Sequence, residues 1–344
     1  MKKELSKVLI IYTGGTIGMK EDPSDQTLKP FDFSAILTEV PELGKFACKV
    51  DAVTFDPLID SSDVEPALWQ KLATMIVRDY DKYDGFVILH GTDTMAYSAS
   101  ALSFMLEGLS KPVIFTGSQL PIGRPRTDGK ENLISSVEIA SAKNADGSAK
   151  VPEVCIFFNS ELLRGNRATK FSSVDFDAFR SPNWPVLASA GIEIRYNSDS
   201  IRKAGSGKIK AKTGLDTRVS IMKVHPGITD SVARGCLLGD NIRACIIETY
   251  GSGNAISKPW FTDIVRQACQ QGRIVLNITQ CLMGEVNMDI YATGRALKDA
   301  GVISGSDMTT ESALAKLFVL MGENSDNNAV KETMALNLRG EMSR

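Results

Sequence analysis

VLIIYTGGT (residues 8–16), FVILHGTDT (86–94) and VIFTGSQ (113–119) follow one pattern: an apolar run that stops at a glycine flanked by hydroxyl side chains. An apolar run this short, without polar alternation, reads as a strand covered on both faces, as in the middle of a parallel sheet. Runs of the same kind stand at residues 154–158, 219–224, 244–247 and 274–278. Helix-period segments lie between them. Leu68, Leu72, Met75 and Ile76 make one face, and Met95, Ala99, Leu102, Met105 and Leu106 a second. Leu133, Ile134, Val137 and Ala140 make a third. Strand, helix and strand alternating through short turns predict an α/β fold with a mostly parallel sheet.

Length and composition agree with this. The chain has 344 residues, 23% charged and 43% hydrophobic, which suits a globular protein of two domains and excludes collagen, coiled coil and disorder. A polar, Gly/Ser/Lys-rich stretch, YNSDSIRKAGSGKIKAKTGLDTR, marks the boundary at residues 196–218. It predicts a larger N-terminal domain (1–195) carrying the chemistry, a linker (196–218) and a smaller C-terminal α/β domain (219–344). A net charge of −2 leaves no electrostatic footprint for nucleic acid or an anionic membrane. No stretch approaches the roughly 20 apolar residues that span a bilayer. The opening lysines precede an apolar run, 8–11, too short for a signal peptide. The six cysteines contain no CxxC pair, so neither a zinc site nor a disulfide framework is expected. Free, mostly buried thiols and a cytoplasmic location follow.

In an open parallel sheet, ligands bind beyond the carboxyl ends of the strands. Three glycine–hydroxyl loops there predict one hydroxyl-rich pocket, and Asp60-Ser61-Ser62-Asp63 is a fourth contributor. Taken singly, each loop reads equally well as a turn, and Asp63 as a helix cap. TGGTIG does not match the dinucleotide pattern GxGxxG, and no Walker lysine is present. A threonine nucleophile needs a base. The chain has two histidines, His90 in a tight strand-end loop and His225 before Pro226, and both read as structural. A lysine held neutral by burial and oriented by a carboxylate is another candidate base, which makes a Thr–Asp–Lys unit around Thr92 and Asp93 a candidate. Spacing does not say which lysine.

TGGTIG, DGFVILHGTDTMAYSASALSFML (84–106), TGSQLPIGRPRTDGKENL (116–133), RGNRATK (164–170), FDAFRSPN (176–183), YGSGNA (250–255) and NLRGE (337–341) together resemble the L-asparaginase family, in its cytoplasmic type I bacterial branch. The resemblance runs over nearly the whole chain and is weakest at 196–218. It implies two α/β domains, each a mostly parallel sheet with helices on both faces, joined by a linker. It also implies hydrolysis of L-asparagine to L-aspartate and ammonia, no metal or organic cofactor, and a homodimer or homotetramer. Carried onto this sequence, it makes Thr16 the nucleophile. Thr92 assists proton transfer or positions water, Asp93 holds the substrate α-ammonium, and Lys170 completes the Thr–Asp–Lys unit. Ser61 and Ser62 hold the α-carboxylate, Ser118 contacts the side-chain amide, and Asn254 is offered across a subunit interface. Without the resemblance, Lys170 reads as a solvated lysine beside Arg164 and Arg167, and Asn254 as a turn residue.

Two positions depart from the family pattern. The tyrosine usual in the segment after TGGT, which acts as a lid, is replaced by Leu28 in the charged stretch 19–30. An arginine that some relatives use to bind an effector asparagine is replaced by Glu248, with Cys281 and Thr169 matching other parts of that pocket. Glu248 inverts the pocket's charge and predicts little homotropic activation. Two other functions compete with the asparaginase reading. One is an amidohydrolase acting mainly on glutamine or feeding ammonia to a tRNA-amidotransferase, a role that usually carries an extra N-terminal domain. The other is a non-catalytic amino-acid-binding module, against which the joint presence of Thr16, Thr92, Asp93 and Lys170 argues.

Overall fold

The computed structural model describes residues 5–21, 28–30 and 40–343, and the chain divides into two compact units, 1–212 and 213–344. The first unit is built on an eight-stranded sheet. Five of its strands are parallel, in spatial order Cys48–Thr54, Ser6–Tyr12, Gly85–Leu89, Val113–Thr116 and Val154–Phe158. Three antiparallel strands, Glu161–Arg164, Ala188–Ala190 and Ile194–Tyr196, extend the far edge. Every residue of the three strands from Gly85 to Phe158 is buried, as their unbroken apolar runs require when both faces are covered.

The covering helices follow from their residue patterns. Pro66–Asp79 starts with proline at its first turn, where the missing N–H costs nothing, and turns Leu68, Leu72 and Ile76 inward. Met95–Met105 is rich in small and apolar residues and buried on nearly all sides, as a helix without a polar face must be. Leu133 and Val137 of Gly129–Ser141 pack with Val8, Ile10, Val87, Leu89 and Ile114 in the main core.

The polar segment expected to be a linker is ordered against the first unit as far as Lys212. Arg202 N donates to Glu153 Oε1 (2.8 Å), and Lys210–Ala211 pairs antiparallel with Leu106–Glu107. Its last residues belong to the second unit, where Asp216 N donates to Phe318 O.

In the second unit the strands Val219–Lys223, Ala244–Thr249, Ile274–Thr279 and Ile303–Ser304 are all parallel and lie side by side in sequence order. Alternation of side chains separates two cores. Cys245, Ile247 and Val275 face the helices Asp230–Leu238, Pro259–Gln270 and Ala292–Asp299. Ala244, Ile246, Ile274 and Leu276 face Thr310–Glu323 and Asn327–Met334.

Candidate active site

Strand order locates the site. In the first unit the chain steps from the strand Ser6–Tyr12 to one side, Cys48–Thr54, then crosses to the other, Gly85–Leu89. The connections after Ser6–Tyr12 and Gly85–Leu89 therefore run to opposite sides of the sheet, and such a reversal is where open parallel sheets bind ligands. The TGGT and HGTDT loops stand at that reversal. Thr13 ties the two strand ends together, its N–H and Oγ1 both donating to Leu89 O at 3.0 and 2.9 Å.

Glycine is required where these loops meet. Gly14 and Gly15 have φ of +142° and +89°, a region that disfavours side chains. A Cβ on Gly14 would collide with the Ile59 carbonyl, and one on Gly15 would lie 2.5 Å from Gly91 N. Thr16 follows at the first position of a 3-10 turn, Thr16–Gly18, half-buried. Its hydroxyl makes no hydrogen bond among the described residues. Tyr12 is fully buried, its ring against Gly18 and its hydroxyl 3.4 Å from Gly15 O. Burial pushes that phenol's pKa well above its ordinary value.

Lys170 comes from the short strand Thr169–Lys170 and meets the HGTDT loop directly. Its Nζ donates to Thr92 Oγ1 at 2.9 Å and to Asp93 Oδ1 at 2.5 Å. A lysine held neutral by burial was one candidate base. Here the side chain is 20% exposed, and Nζ is a hydrogen-bond donor to a carboxylate that is itself 60% exposed. While it donates to both groups it cannot accept the Thr92 proton.

Ser61 is buried beside this pair. Its Oγ accepts from Asp93 N (3.4 Å), its carbonyl accepts from Thr94 Oγ1 (2.7 Å), and a Cβ on Gly91 would strike its hydroxyl. Ser62 is exposed, and its Oγ donates to Asp60 Oδ1 (2.9 Å). Ser118 is buried and donates to Leu120 O at 2.6 Å. The Cβ position of Gly129 lies 3.2 Å from Ser118 Cβ and 3.3 Å from Ile17 Cγ1, so the TGSQ loop abuts the turn that carries Thr16.

Sequence reasoning missed the residues that hold that loop. The Asp128 carboxylate accepts from Gln119 N (3.0 Å) and Leu120 N (3.1 Å), and Asn132 Nδ2 donates to Gly117 O (3.0 Å). The available signal was an aspartate opening a helix four residues before an asparagine, which sets both on one helix face. His90 is buried and bonded through both ring nitrogens, and His225 is exposed, with Nδ1 3.1 Å from Pro226 O. Among the described residues, no group of three or more His, Cys, Asp or Glu side chains is placed to hold a metal ion.

Asn254 belongs to the second unit. Paired antiparallel with Tyr250, it closes a turn after the strand Ala244–Thr249 that also contains Gly251 and Gly253 at positive φ. Asn277 Nδ2 braces that turn at Gly253 O (3.2 Å). Thr293 Oγ1 donates to Asn254 Oδ1 (3.0 Å), and Nδ2 makes no hydrogen bond among the described residues. Glu248 is not an open charge: it accepts from Thr310 Oγ1 (2.6 Å) at the start of a helix and lies 3.9 Å from Lys223 Nζ. Cys281 is exposed. Leu28 stands in a strand, Leu28–Pro30, paired with Met19–Glu21, and the intervening residues of the expected lid, 22–27, lie outside the described residues.

Known proteins match nearly the whole chain. Residues 7–202 match the family described as "Asparaginase, N-terminal", and residues 218–334 match "Glutaminase/Asparaginase C-terminal domain". L-asparaginase 1 of Escherichia coli K12 is 43% identical over 343 residues, covering 98% of both chains. The 60 kDa lysophospholipase of Mus musculus is 39% identical, over 98% of this chain and 62% of its own length. The crystal structure of L-asparaginase I from Vibrio cholerae superposes with a TM-score of 0.90 at 44% identity, over 99% of this chain and 100% of that one.

Proposed function

Because this chain belongs to the asparaginase family, we propose that it hydrolyses L-asparagine to L-aspartate and ammonia, with Thr16 as nucleophile and an acyl-threonine intermediate. The observation that carries this reading is the Lys170 Nζ bridge between Thr92 Oγ1 and Asp93 Oδ1, beside a loop whose Thr16 hydroxyl has no hydrogen-bond partner among the described residues.

Each polar group's internal bonds say what it has left for a substrate. Thr92 Oγ1 accepts from Lys170 and donates to no other group among the described residues, so its proton, polarised by Nζ, can pass to the leaving nitrogen as Thr92 takes up the proton that Thr16 gives up on attack, or can hold the water that cleaves the ester. Thr92 N–H makes no hydrogen bond among the described residues and is a candidate oxyanion donor. Asp93 Oδ2 is unpaired among the described residues and suits the α-ammonium. Ser61 Oγ accepts from Asp93 N and keeps its proton for the α-carboxylate, whereas the Ser62 proton is engaged by Asp60 Oδ1 and reaches that carboxylate only if the hydroxyl turns away from Asp60. Ser118 spends its proton on Leu120 O, so it offers a lone pair, the complement of an amide NH2.

Asn254, whose Nδ2 makes no hydrogen bond among the described residues, suits a role in the site of a neighbouring subunit, which requires a homodimer or homotetramer. Six free cysteines suit a reducing cytoplasm.

The test is ammonia release from L-asparagine, L-glutamine and simple amides by the parent and by Thr16→Ala. The parent should turn over asparagine fastest. Thr16→Ala should lose three or more orders of magnitude in kcat with an unchanged melting curve. Near-parent turnover by the folded variant removes Thr16 from the chemistry.

A further inference from the structure

His90 closes the carboxyl end of the strand Gly85–Leu89 and is 1% exposed. Its Nδ1 lies 2.7 Å from Gly91 O, its Nε2 lies 3.0 Å from Ser98 Oγ, and Trp69 Nε1 donates to the same Ser98 Oγ at 2.8 Å. The ends of this chain fix every proton in it. Indole Nε1 can only donate and a carbonyl oxygen can only accept. So Trp69 donates to Ser98, Ser98 donates to His90 Nε2, and His90 Nδ1–H donates to Gly91 O. The relay joins the helices Pro66–Asp79 and Met95–Met105 to the HGTDT loop, with Trp69 and Ser98 also buried. Phe115 packs edge-on against the imidazole at 5.8 Å between ring centres. Burial holds the ring's pKa near 4, so Nε2 stays an acceptor at neutral pH.

The carbonyl it grips is mechanically special. Gly91 is wedged between Ser61 Oγ on one side and Gly15 on another, with no room for a side chain. Its C=O shares a rigid, trans peptide plane with the Thr92 N–H, which points the opposite way. Rotating that plane would swing Thr92 N–H and the start of the Thr92–Asp93 pair together. Nothing else among the described residues hydrogen-bonds Gly91 O.

We propose that His90 is a positioning residue: by holding Gly91 O through Nδ1–H, braced by Ser98 and Trp69, it aims the Thr92 N–H and sets Thr92 and Asp93 for Lys170. This rests on Thr92 and Asp93 serving the amide hydrolysis proposed above. His90 touches no substrate in this scheme.

Steady-state kinetics on asparagine with His90→Leu, His90→Asn and Ser98→Ala test it, with folding checked by melting curves. The asparagine side-chain amide can replace the Nδ1–H donor, whereas leucine cannot. A mis-aimed oxyanion donor should lower kcat of His90→Leu roughly 10- to 100-fold while KM changes less than about threefold. His90→Asn should recover most of that loss, and Ser98→Ala, the variant kept for the case that His90→Leu does not fold, should lose about 3- to 10-fold in kcat. A purely structural histidine would lower the melting temperature and leave kcat per folded molecule at the parent value, which overturns the proposal.

The chain has only two histidines, so 15N-histidine labelling with His225→Gln for assignment reads the tautomer of His90 directly. The Nδ1–H form in the parent supports the relay, and the Nε2–H form overturns it. A parent inactive on asparagine would defeat the proposed function and with it this role, while a parent active on asparagine with an indifferent His90→Leu defeats only the role.

Discussion

Lys170→Met separates a catalytic lysine from a surface ion pair because the two predict different losses. The pair with Asp93 is short, 2.5 Å, but Asp93 is 60% exposed and Lys170 20% exposed, so water screens it. Partly exposed pairs contribute at most about 1 kcal/mol. For a unit of this size, 1 kcal/mol moves the melting temperature by roughly 2–4 °C, and methionine keeps most of the lysine stem's packing. The catalytic loss should be far larger. Nζ is the only group among the described residues that hydrogen-bonds both Thr92 Oγ1 and Asp93 Oδ1, so its removal frees both side chains at once. Disabling a member of such a unit costs on the order of a thousandfold in kcat, about 4 kcal/mol of barrier.

The assay is kcat by ammonia release at saturating asparagine, beside differential scanning fluorimetry of the same preparation. Asp93→Asn is the companion. It keeps an oxygen for Lys170 but loses the charge facing the α-ammonium, so KM should rise by one to two orders of magnitude and exceed the effect on kcat. A Lys170→Met enzyme within tenfold of the parent in kcat, or equal mild losses from both variants, would refute the Thr–Asp–Lys assignment.

Three further outcomes are expected. Lys316 and Glu341 are fully buried, 2.7 Å apart, with the remaining Lys316 protons on Met334 O and Leu336 O, so Lys316→Met should cost about 3–5 kcal/mol in urea titrations and Lys316→Met/Glu341→Leu far less; equal losses in both would refute this. His90, with a pKa of about 4 against an ordinary 6.5, is protonated first in the unfolded chain as pH falls, so stability present above pH 6.5 should be lost between 6.5 and 4, by roughly 3 kcal/mol, a slope that His90→Asn should flatten in urea titrations. Equimolar Thr16→Ala and Asn254→Ala, each inactive alone, should regain activity when co-refolded, since hybrid oligomers restore about a quarter of the sites if Asn254 acts on a neighbouring subunit; no recovery would place Asn254 outside the partner's site.

Which parts of the fold could be read in advance follows from burial. The strands Gly85–Leu89, Val113–Thr116 and Val154–Phe158 are covered on both faces, so their sequences are unbroken apolar runs and stand out. Cys48–Thr54, with the sequence CKVDAVT, is a sheet edge with every residue exposed or half-buried. Its lysine and aspartate, which blunt an open edge, also erase the strand signal. The antiparallel extension is made of strands of three or four residues, too short for periodicity to register. Residues 196–212 read as a linker because their composition is polar. They are nonetheless ordered, because Glu153, buried with Arg164, accepts the Arg202 N–H from across the fold.

The site divides the same way. Thr16, Thr92, Asp93 and Ser118 could be found because glycine and hydroxyl residues at strand ends are a local pattern. Lys170 reaches Thr92 from 78 positions away, and no local pattern encodes that meeting. Asp128 and Asn132 were invisible for a related reason: a side chain that secures a loop's backbone looks, in sequence, like any polar residue at a helix start. The structure distinguishes them by what they have left to offer. Asp128, Asn132, His90 and Ser98 use their polar atoms on the protein itself, holding Gly91, Gly117, Gln119 and Leu120 in place. The Thr16 hydroxyl, the Thr92 N–H and one oxygen of Asp93 have no such bonds among the described residues. Half-open polar groups on a fully bonded frame are what a site needs if binding is to complete the hydrogen bonding instead of rearranging it. The division also orders the expected effects of mutation. Changes to the bonded set should act mainly through geometry, lowering kcat by tens and recoverable by isosteric donors. Changes to the unbonded set should remove a reacting or charge-bearing atom outright and should not be recoverable by any side chain lacking it.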